Sequence, residues 1–363
     1  MPIYEQRLQK DLTHIRGELS LIGERVETSL HNALYALFTH DVTLANLTIL
    51  RDQGINHLCL KLDRFCHLCI VRHQPTAGHL RLISSVMRMV DELERIGDYA
   101  VTIGRAALHM QQQQPAGILK RDLEAMAQST GTMLKQALAA VSSEDAQLAR
   151  TTMKMAETVG HQLSVTFTDL ESEEAEHQSP VRFVLDLFAV CYMLERVSDR
   201  AKNICEEALF MMAGESKPEK VFRILFIDRE NSVRSQMAEA IARRFYPTQA
   251  IYSSAGVQPG PINQSMLDFM RYQGCPMENI LPKPLEAVPL AEEEQIVISL
   301  EGPVRSYPLE LHFHTTFLDW TVSDPPLEED DAQTKREKYE KLYREITSQV
   351  RGLMEILRGE EVF

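Results

Sequence analysis

Leu93-Glu94-Arg95-Ile96-Gly97-Asp98 returns 101 residues later as Leu194-Glu195-Arg196-Val197-Ser198-Asp199. The same offset pairs Arg81 with Arg182, Ala100 with Ala201, Ile103 with Ile204 and Ala107 with Ala208. An ungapped match of this length signals an internal duplication. Upstream, apolar residues fall at Leu8, Leu12, Ile15, Leu19, Ile22, Val26 and Leu30, and steps of three and four predict a long amphipathic helix. A second helix carries Ile55, Leu58, Leu62, Phe65 and Cys69 on one stripe. It stops near His73-Gln74-Pro75, because proline disfavours helix in the residue before it. A third helix runs from about His79 to Met110, ahead of Gln111–Gln114 and Pro115. The pattern then restarts. The expectation is two copies of a three-helix bundle, residues 1–112 and 116–214.

Composition changes after Met212. Residues 213–220 are rich in helix breakers and read as a linker. Val221–Ile227 is a β-branched and aromatic run of strand length, followed by a loop and a helix from about Ser235 to Phe245. Further strand candidates are Ala250–Ser254, Gln295–Leu300 and His312–Leu318, and a charged amphipathic helix from Ala332 to Leu357 follows. Strands alternating with helices predict a parallel α/β domain over 221–363. The expected architecture is therefore multidomain, all-α tandem bundles followed by an α/β domain.

The 363 residues carry a formal charge of −14 with no long Lys/Arg cluster, which argues against a nucleic-acid surface. No run of 18 apolar residues exists, so no membrane insertion is expected, and Met1–Gln6 lacks the pattern of a signal peptide. The six cysteines fall in or beside predicted helices rather than in a disulfide framework, which fits a cytoplasmic protein. Cys66-His67-Leu68-Cys69 is a lone C-x2-C without the second pair of a structural zinc site. Because Cys69 continues the apolar stripe, core packing is the expectation there.

Glu94 and Asp98 share a helix face at i and i+4, with Asp91 at i−3. In the second copy Glu195, Asp199, Asn203 and Glu206 line one face. Like charges at i,i+4 destabilise a helix by about 0.2–0.5 kcal/mol per pair, so their recurrence in both copies suggests a cationic partner. Oxygen-rich clusters suit divalent metals or iron. Alternatively, Arg95, Arg196 and Arg200 neutralise the face.

The Glu-Arg-x-x-Asp segments, the Gln74-Pro75…Leu80-Arg81 turn and the Asn203-Ile204-x-Glu206 ending resemble the PhoU family of phosphate-signalling regulators, over about residues 1–215. The resemblance implies two pseudo-symmetric three-helix bundles and metal held by Glu94, Asp98, Glu195 and Asp199, with Asp91, Asn203 and Glu206 as further candidates. It also implies a negative regulatory role between a phosphate ABC transporter and a sensor histidine kinase, and a homodimer. Two departures stand out: Cys59 occupies a position where an acidic residue is common, and Gly160 interrupts the set around Glu157.

Arg223–Ala240 resembles the phosphate loop of low-molecular-weight phosphatases and arsenate reductases, a C-x5-R motif whose Cys is the nucleophile. Asp228 stands at that position, followed by Asn231, Ser232, Val233, Arg234 and Ser235. Ser254-Ala255-Gly256, Pro259-Gly260-Pro261, Lys283-Pro284-Leu285 and Asp324-Pro325-Pro326 extend the likeness over about 221–357, with Asp324 at the place of the general acid. Such a strand–loop–helix aims backbone N–H groups and an arginine fork at phosphate or arsenate. Catalysis in that family needs a thiolate. A carboxylate about 4 Å from a bound oxyanion repels it by about 4 kcal/mol at an effective dielectric of about 20. Protonating it costs a similar amount, since about three pKa units separate an ordinary aspartate from neutral pH. With Cys275 the only thiol in the domain, a pseudoenzyme is expected: a docking or oxyanion-sensing module without organic cofactor. Alternatives are residual phosphatase chemistry at the 228–234 loop, with Asp228 attacking and Asp324 as acid, and a metal-binding protein at the helical carboxylates.

Overall fold

The computed structural model describes residues 3–110, 115, 117–177, 180–215, 221–275, 277, 281–288, 296–309 and 315–359. Two compact units divide the chain, Met1–Pro218 and Glu219–Phe363. The expected linker segments at 111–114 and 216–220 lie outside the described residues.

In the first unit the apolar stripe of the opening segment becomes the buried face of α1 (Ile3–Thr39), where Leu8, Leu12, Ile15, Leu19, Ile22, Val26 and Leu30 are all buried. Helix α2 (Val42–His73) starts where Asp41 accepts the Leu44 N–H at 2.9 Å. It stops where Gln74 takes a left-handed φ of 44°, just before Pro75. Helix α3 (Ala77–His109) completes the first repeat. The second repeat has α4 (Gly117–Ser143), α5 (Ala146–Met153), α6 (Met155–His177) and α7 (Val181–Ala213). Its middle helix is thus divided at Lys154, a departure from the plain three-helix expectation.

Both repeats share one hydrophobic core, which draws residues from all seven helices, and α3 packs extensively against α7. Polar contacts tie the same two helices together. The Arg88 Nε donates to Glu207 at 2.6 Å, and Arg200 and Asn203 each donate to Glu92 at 3.1 Å. All six cysteines are buried and unpaired, and burial drives the Cys66, Cys191 and Cys205 thiols up to about 12. Cys66, Cys191 and Cys205 behave as small core residues. No described helix is long and apolar enough to cross a membrane.

The second unit is built on a four-stranded parallel sheet in the order β2-β1-β3-β4. Its strands are β1 (Phe222–Asp228), β2 (Ala250–Gly256), β3 (Ile296–Ser299) and β4 (Thr316–Asp319). Helices α8 (Arg234–Phe245), α9 (Gln264–Tyr272) and α10 (Ala332–Leu357) join them. Strand β1 alternates as a central strand must: Ile224 and Phe226 enter the core under the three helices, and Leu225 and Ile227 enter a smaller core on the opposite face. Helix α9 was not legible in the sequence. It is capped by Asn263, whose side chain accepts the N–H groups of Ser265 and Met266. In such sheets the crevice lies outside the carboxyl ends of the strands where the order reverses, here between β1 and β3.

Candidate functional site

The loop between β1 and α8 sits at that crevice, held by contacts that leave little freedom. Asn231 adopts a left-handed φ of 50°. Its amide donates to Ser235 Oγ at 2.8 Å, and its oxygen accepts Gln236 Nε2 at 2.9 Å and the Lys283 N–H at 2.8 Å. Gly256 lies against the loop so closely that a Cβ there would meet the Asn231 nitrogen at 2.7 Å. The Ser-Ala-Gly end of β2 is therefore a backbone support for the loop, and only glycine fits its last position.

The Asp228 carboxylate, 3% exposed, turns back into the loop. Its Oδ1 accepts the Asn231 N–H at 2.5 Å and its Oδ2 accepts the Ser235 N–H at 2.9 Å. Burial raises its pKa, while these N–H groups, the Ser235 side chain and Arg234 oppose the rise. Arg234 is itself buried, and its guanidinium is already engaged. Nη2 lies 2.5 Å from Glu301 Oε2 and Nη1 lies 3.1 Å from Asp324 Oδ1. The same Glu301 oxygen accepts the Arg229 N–H at 3.1 Å. A carboxylate thus takes both a loop N–H and one arm of the arginine fork, the two kinds of donor that the loop would offer an oxyanion.

Glu301 is held in place from behind. It follows β3 in a tight turn in which Gly302 has a φ of 76°. Its carbonyl accepts the Tyr307 hydroxyl at 2.6 Å, and its N–H donates to Ser299 Oγ at 3.3 Å. Glu301 is not among the site residues expected from the sequence. The signal was present in part, because in a parallel sheet a loop after a neighbouring strand must share the crevice, but the neighbour of β1 was not known. Asp324 touches Arg234 yet its side chain is 94% exposed, and Ser232 donates to Glu230 at 3.2 Å. Val233 is the residue preceding α8.

The helical carboxylates fall into two unlike sets. On α3, Glu94 is half-buried and Asp98 and Asp91 are exposed, and among the described residues none of the three makes an ion pair. Asp52 of α2 faces them across Gly97, where a Cβ would meet Asp52 Oδ1 at 3.1 Å. Burial, then Asp98, raises the Asp52 pKa; burial, then Asp98, Asp91 and Asp52, raises that of Glu94, against the pull of Arg95. Asn56 donates to Asp52 Oδ2 at 3.1 Å, while Asp52 Oδ1 and Asn56 Oδ1 are buried without a hydrogen-bond partner. Cys59 lies in the same field, and burial followed by Glu94, Asp52 and Asp91 pushes its thiol to about 12. Two orphaned acceptors beside unpaired carboxylates are oxygen donors of the type that would suit a hard cation.

On α7 the charges are already compensated. Arg196 grips Glu195 with two bonds, 2.7 Å and 3.1 Å, and lies 3.2 Å from Asp199. Asn203 spends its amide on Glu92 of α3 rather than on this face, and Glu206 has other contacts. The expected pseudo-symmetric residues are thus brought to equivalent helices, but an arginine occupies the second face.

Comparison with known proteins matches this division. A family profile described as the PhoU domain covers residues 19–107 and 123–208. The phosphate-specific transport system accessory protein PhoU of Edwardsiella tarda is 31% identical over 205 residues, 56% of this chain and 84% of that protein. The chain belongs to the PhoU family. The crystal structure of PhoU from Pseudomonas aeruginosa is 28% identical with a TM-score of 0.55, covering 57% of this chain and 99% of its own. Beyond the PhoU part, a profile described as low molecular weight phosphotyrosine protein phosphatase covers residues 223–362. An arsenate reductase in the phosphate binding state matches 38% of this chain and 99% of its own, at 20% identity and a TM-score of 0.30. The α/β domain of this PhoU-family chain is thus similar to the low molecular weight phosphotyrosine protein phosphatase profile, and its loop begins with Asp228.

Proposed function

We propose that this chain regulates phosphate uptake and signalling from the cytoplasm through protein contacts, with a phosphate ABC transporter, a sensor histidine kinase or both as partners, and that it acts as a homodimer. In this reading the second unit is a pseudoenzyme, an oxyanion-sensing or docking module that turns over no phosphate ester. The observation that carries it is the occupied loop. Asp228 takes the Asn231 and Ser235 N–H groups, and Glu301 takes the Arg229 N–H and Arg234. An aspartate with both oxygens committed inside the loop is a poor nucleophile, which disfavours residual phosphatase chemistry. The unpaired carboxylates Glu94, Asp98 and Asp91, with Asp52, support a divalent metal or iron on the first repeat. The Arg196 fork over Glu195 and Asp199 supports a weaker or absent one on the second.

The test uses a host strain lacking the chain, complemented with wild type, Arg234→Ala or Glu94→Gln/Asp98→Asn, with phosphate uptake and kinase output as readouts. Unregulated uptake in the null strain, restored by wild type, is expected. A null strain that behaves as wild type under both phosphate starvation and excess defeats the regulatory reading. Aryl phosphate turnover that Asp228→Ala abolishes defeats the pseudoenzyme reading.

A further inference from the structure

Where the end of α2 meets α1, far along α2 from the carboxylate face, a different group of side chains converges. Cys69 and His73 stand one turn apart on α2, and Asp11 reaches them from α1. One ligand atom from each lies within 4.8 Å of the other two. Cys69 and His73 are buried, and Asp11 is half-buried. Asp11 Oδ2 sits 2.9 Å from His73 Nε2.

A tether between helices would need only the aspartate and the histidine. One feature goes beyond that: the third member is a thiol, buried within the same 4.8 Å. The ring and its backbone are also held in place from α1. The Tyr4 ring packs edge-on against it at 5.6 Å, and the Tyr4 hydroxyl donates to the His73 carbonyl.

We propose that Asp11, Cys69 and His73 form a zinc-class metal site that joins α1 to α2, separate from the carboxylate face. One sulfur, one imidazole nitrogen and one carboxylate are the donor types that select zinc over magnesium or calcium, and three protein ligands leave a fourth position open. Ligation through Nε2, which already lies 2.9 Å from Asp11 Oδ2, would place the ion between the imidazole, the carboxylate and the thiol. Arg72 Nη1 lies 3.2 Å from Asp11 Oδ2 and competes for that oxygen. Its side chain is 59% exposed, so it can turn to solvent when an ion arrives.

The full chain, stripped with chelator, is titrated with cobalt(II) as a spectroscopic stand-in and then with zinc against a chromophoric chelator. A thiolate-to-cobalt charge-transfer band is expected in the wild type and in Glu94→Gln/Asp98→Asn and Cys66→Ala, and it is lost in Cys69→Ala. Asp11→Asn preserves the shape and is expected to weaken zinc about 10–100-fold. Helical circular dichroism of each variant, measured in parallel, separates loss of ligand from loss of fold. His73→Asn serves as the second ligand variant if Cys69→Ala unfolds. Absence of the band in the wild type, or its survival in both Cys69→Ala and His73→Asn, overturns the site and leaves an interhelical ion pair.

Discussion

Replacing Glu301 with glutamine keeps the shape of the side chain and removes the charge that the loop currently holds. In the wild type an incoming phosphate or arsenate must displace a carboxylate bonded to Arg229 N–H at 3.1 Å and to Arg234 at 2.5 Å. Two unit charges about 4 Å apart repel by about 4 kcal/mol at an effective dielectric of about 20. The Glu301 side chain is 38% exposed, so water screens that figure, and about 1–2 kcal/mol is the realistic remainder. Glu301→Gln should therefore bind phosphate and arsenate about 5–30-fold more tightly than wild type. Asp228 is buried and escapes such screening, so Asp228→Ser should add a larger gain, up to about a thousandfold if the carboxylate is charged. Calorimetric titration of the full chain, in wild type, both single variants and the double variant, measures each step. If Asp228→Ser binds and Glu301→Gln is no better than wild type, Glu301 is a bystander. If no variant binds either oxyanion, the loop is not a cradle at all, and docking alone remains for this unit.

Three further outcomes follow from named contacts. Asp52 and Glu94 have raised folded-state pKa values, so the folded chain binds more protons than the unfolded one and loses stability as pH climbs through and above the ordinary carboxylate range. A divalent cation bound at this face would replace those protons. Its effect on the melting temperature should therefore grow from pH 5 to pH 7 and vanish in Glu94→Gln/Asp98→Asn; an equal effect in that variant would place the ion elsewhere. Gly256→Ala pushes a Cβ to 2.7 Å from the Asn231 nitrogen and 2.9 Å from the Glu230 carbonyl carbon, and should cost about 1–3 kcal/mol in urea unfolding of the second unit. A neutral result there would mean that the loop yields easily. Arg196→Ala removes the fork on buried Glu195 and should destabilise the helical unit by about 1–3 kcal/mol, read by thermal denaturation. Unchanged unfolding would show that the α7 carboxylates need no internal cation.

The helical unit was legible because its signals are local and repeated. The stripe from Leu8 to Leu30, the break at Pro75 and the offset of 101 residues each follow from helical period or from duplication. Its departures are non-local: nothing near Lys154 in sequence announced the division of the middle helix, and Arg196 was one of three candidate arginines until geometry put it on Glu195. In the α/β unit, a β-branched and aromatic run located β1, a short strand-like run β2 and amphipathic patterning the long α10, whereas the nine-residue α9 carried too little periodic signal to register. Asp228 was readable as a substitution at a known position. Glu301 was not, because its role depends on β3 lying beside β1 and on a turn secured by Tyr307 and Ser299. The Asp11–Cys69–His73 group likewise spans two helices, and the apolar stripe through Cys69 pointed only to packing.

The shared core of the two repeats has a thermodynamic meaning of its own. Helix α3 belongs at once to the carboxylate face, through Glu94 and Asp98, and to the seam with α7, through Arg88 and Glu92. Neither half can unravel without stripping apolar surface from the other, so the unit should melt in one cooperative step. A cation bound only by the first repeat would then shift the whole transition by RT ln(1 + [L]/Kd), delivering its binding energy to helices that it never touches. The duplication has thus joined two similar halves into one packed body, with α3 as the member that both halves share.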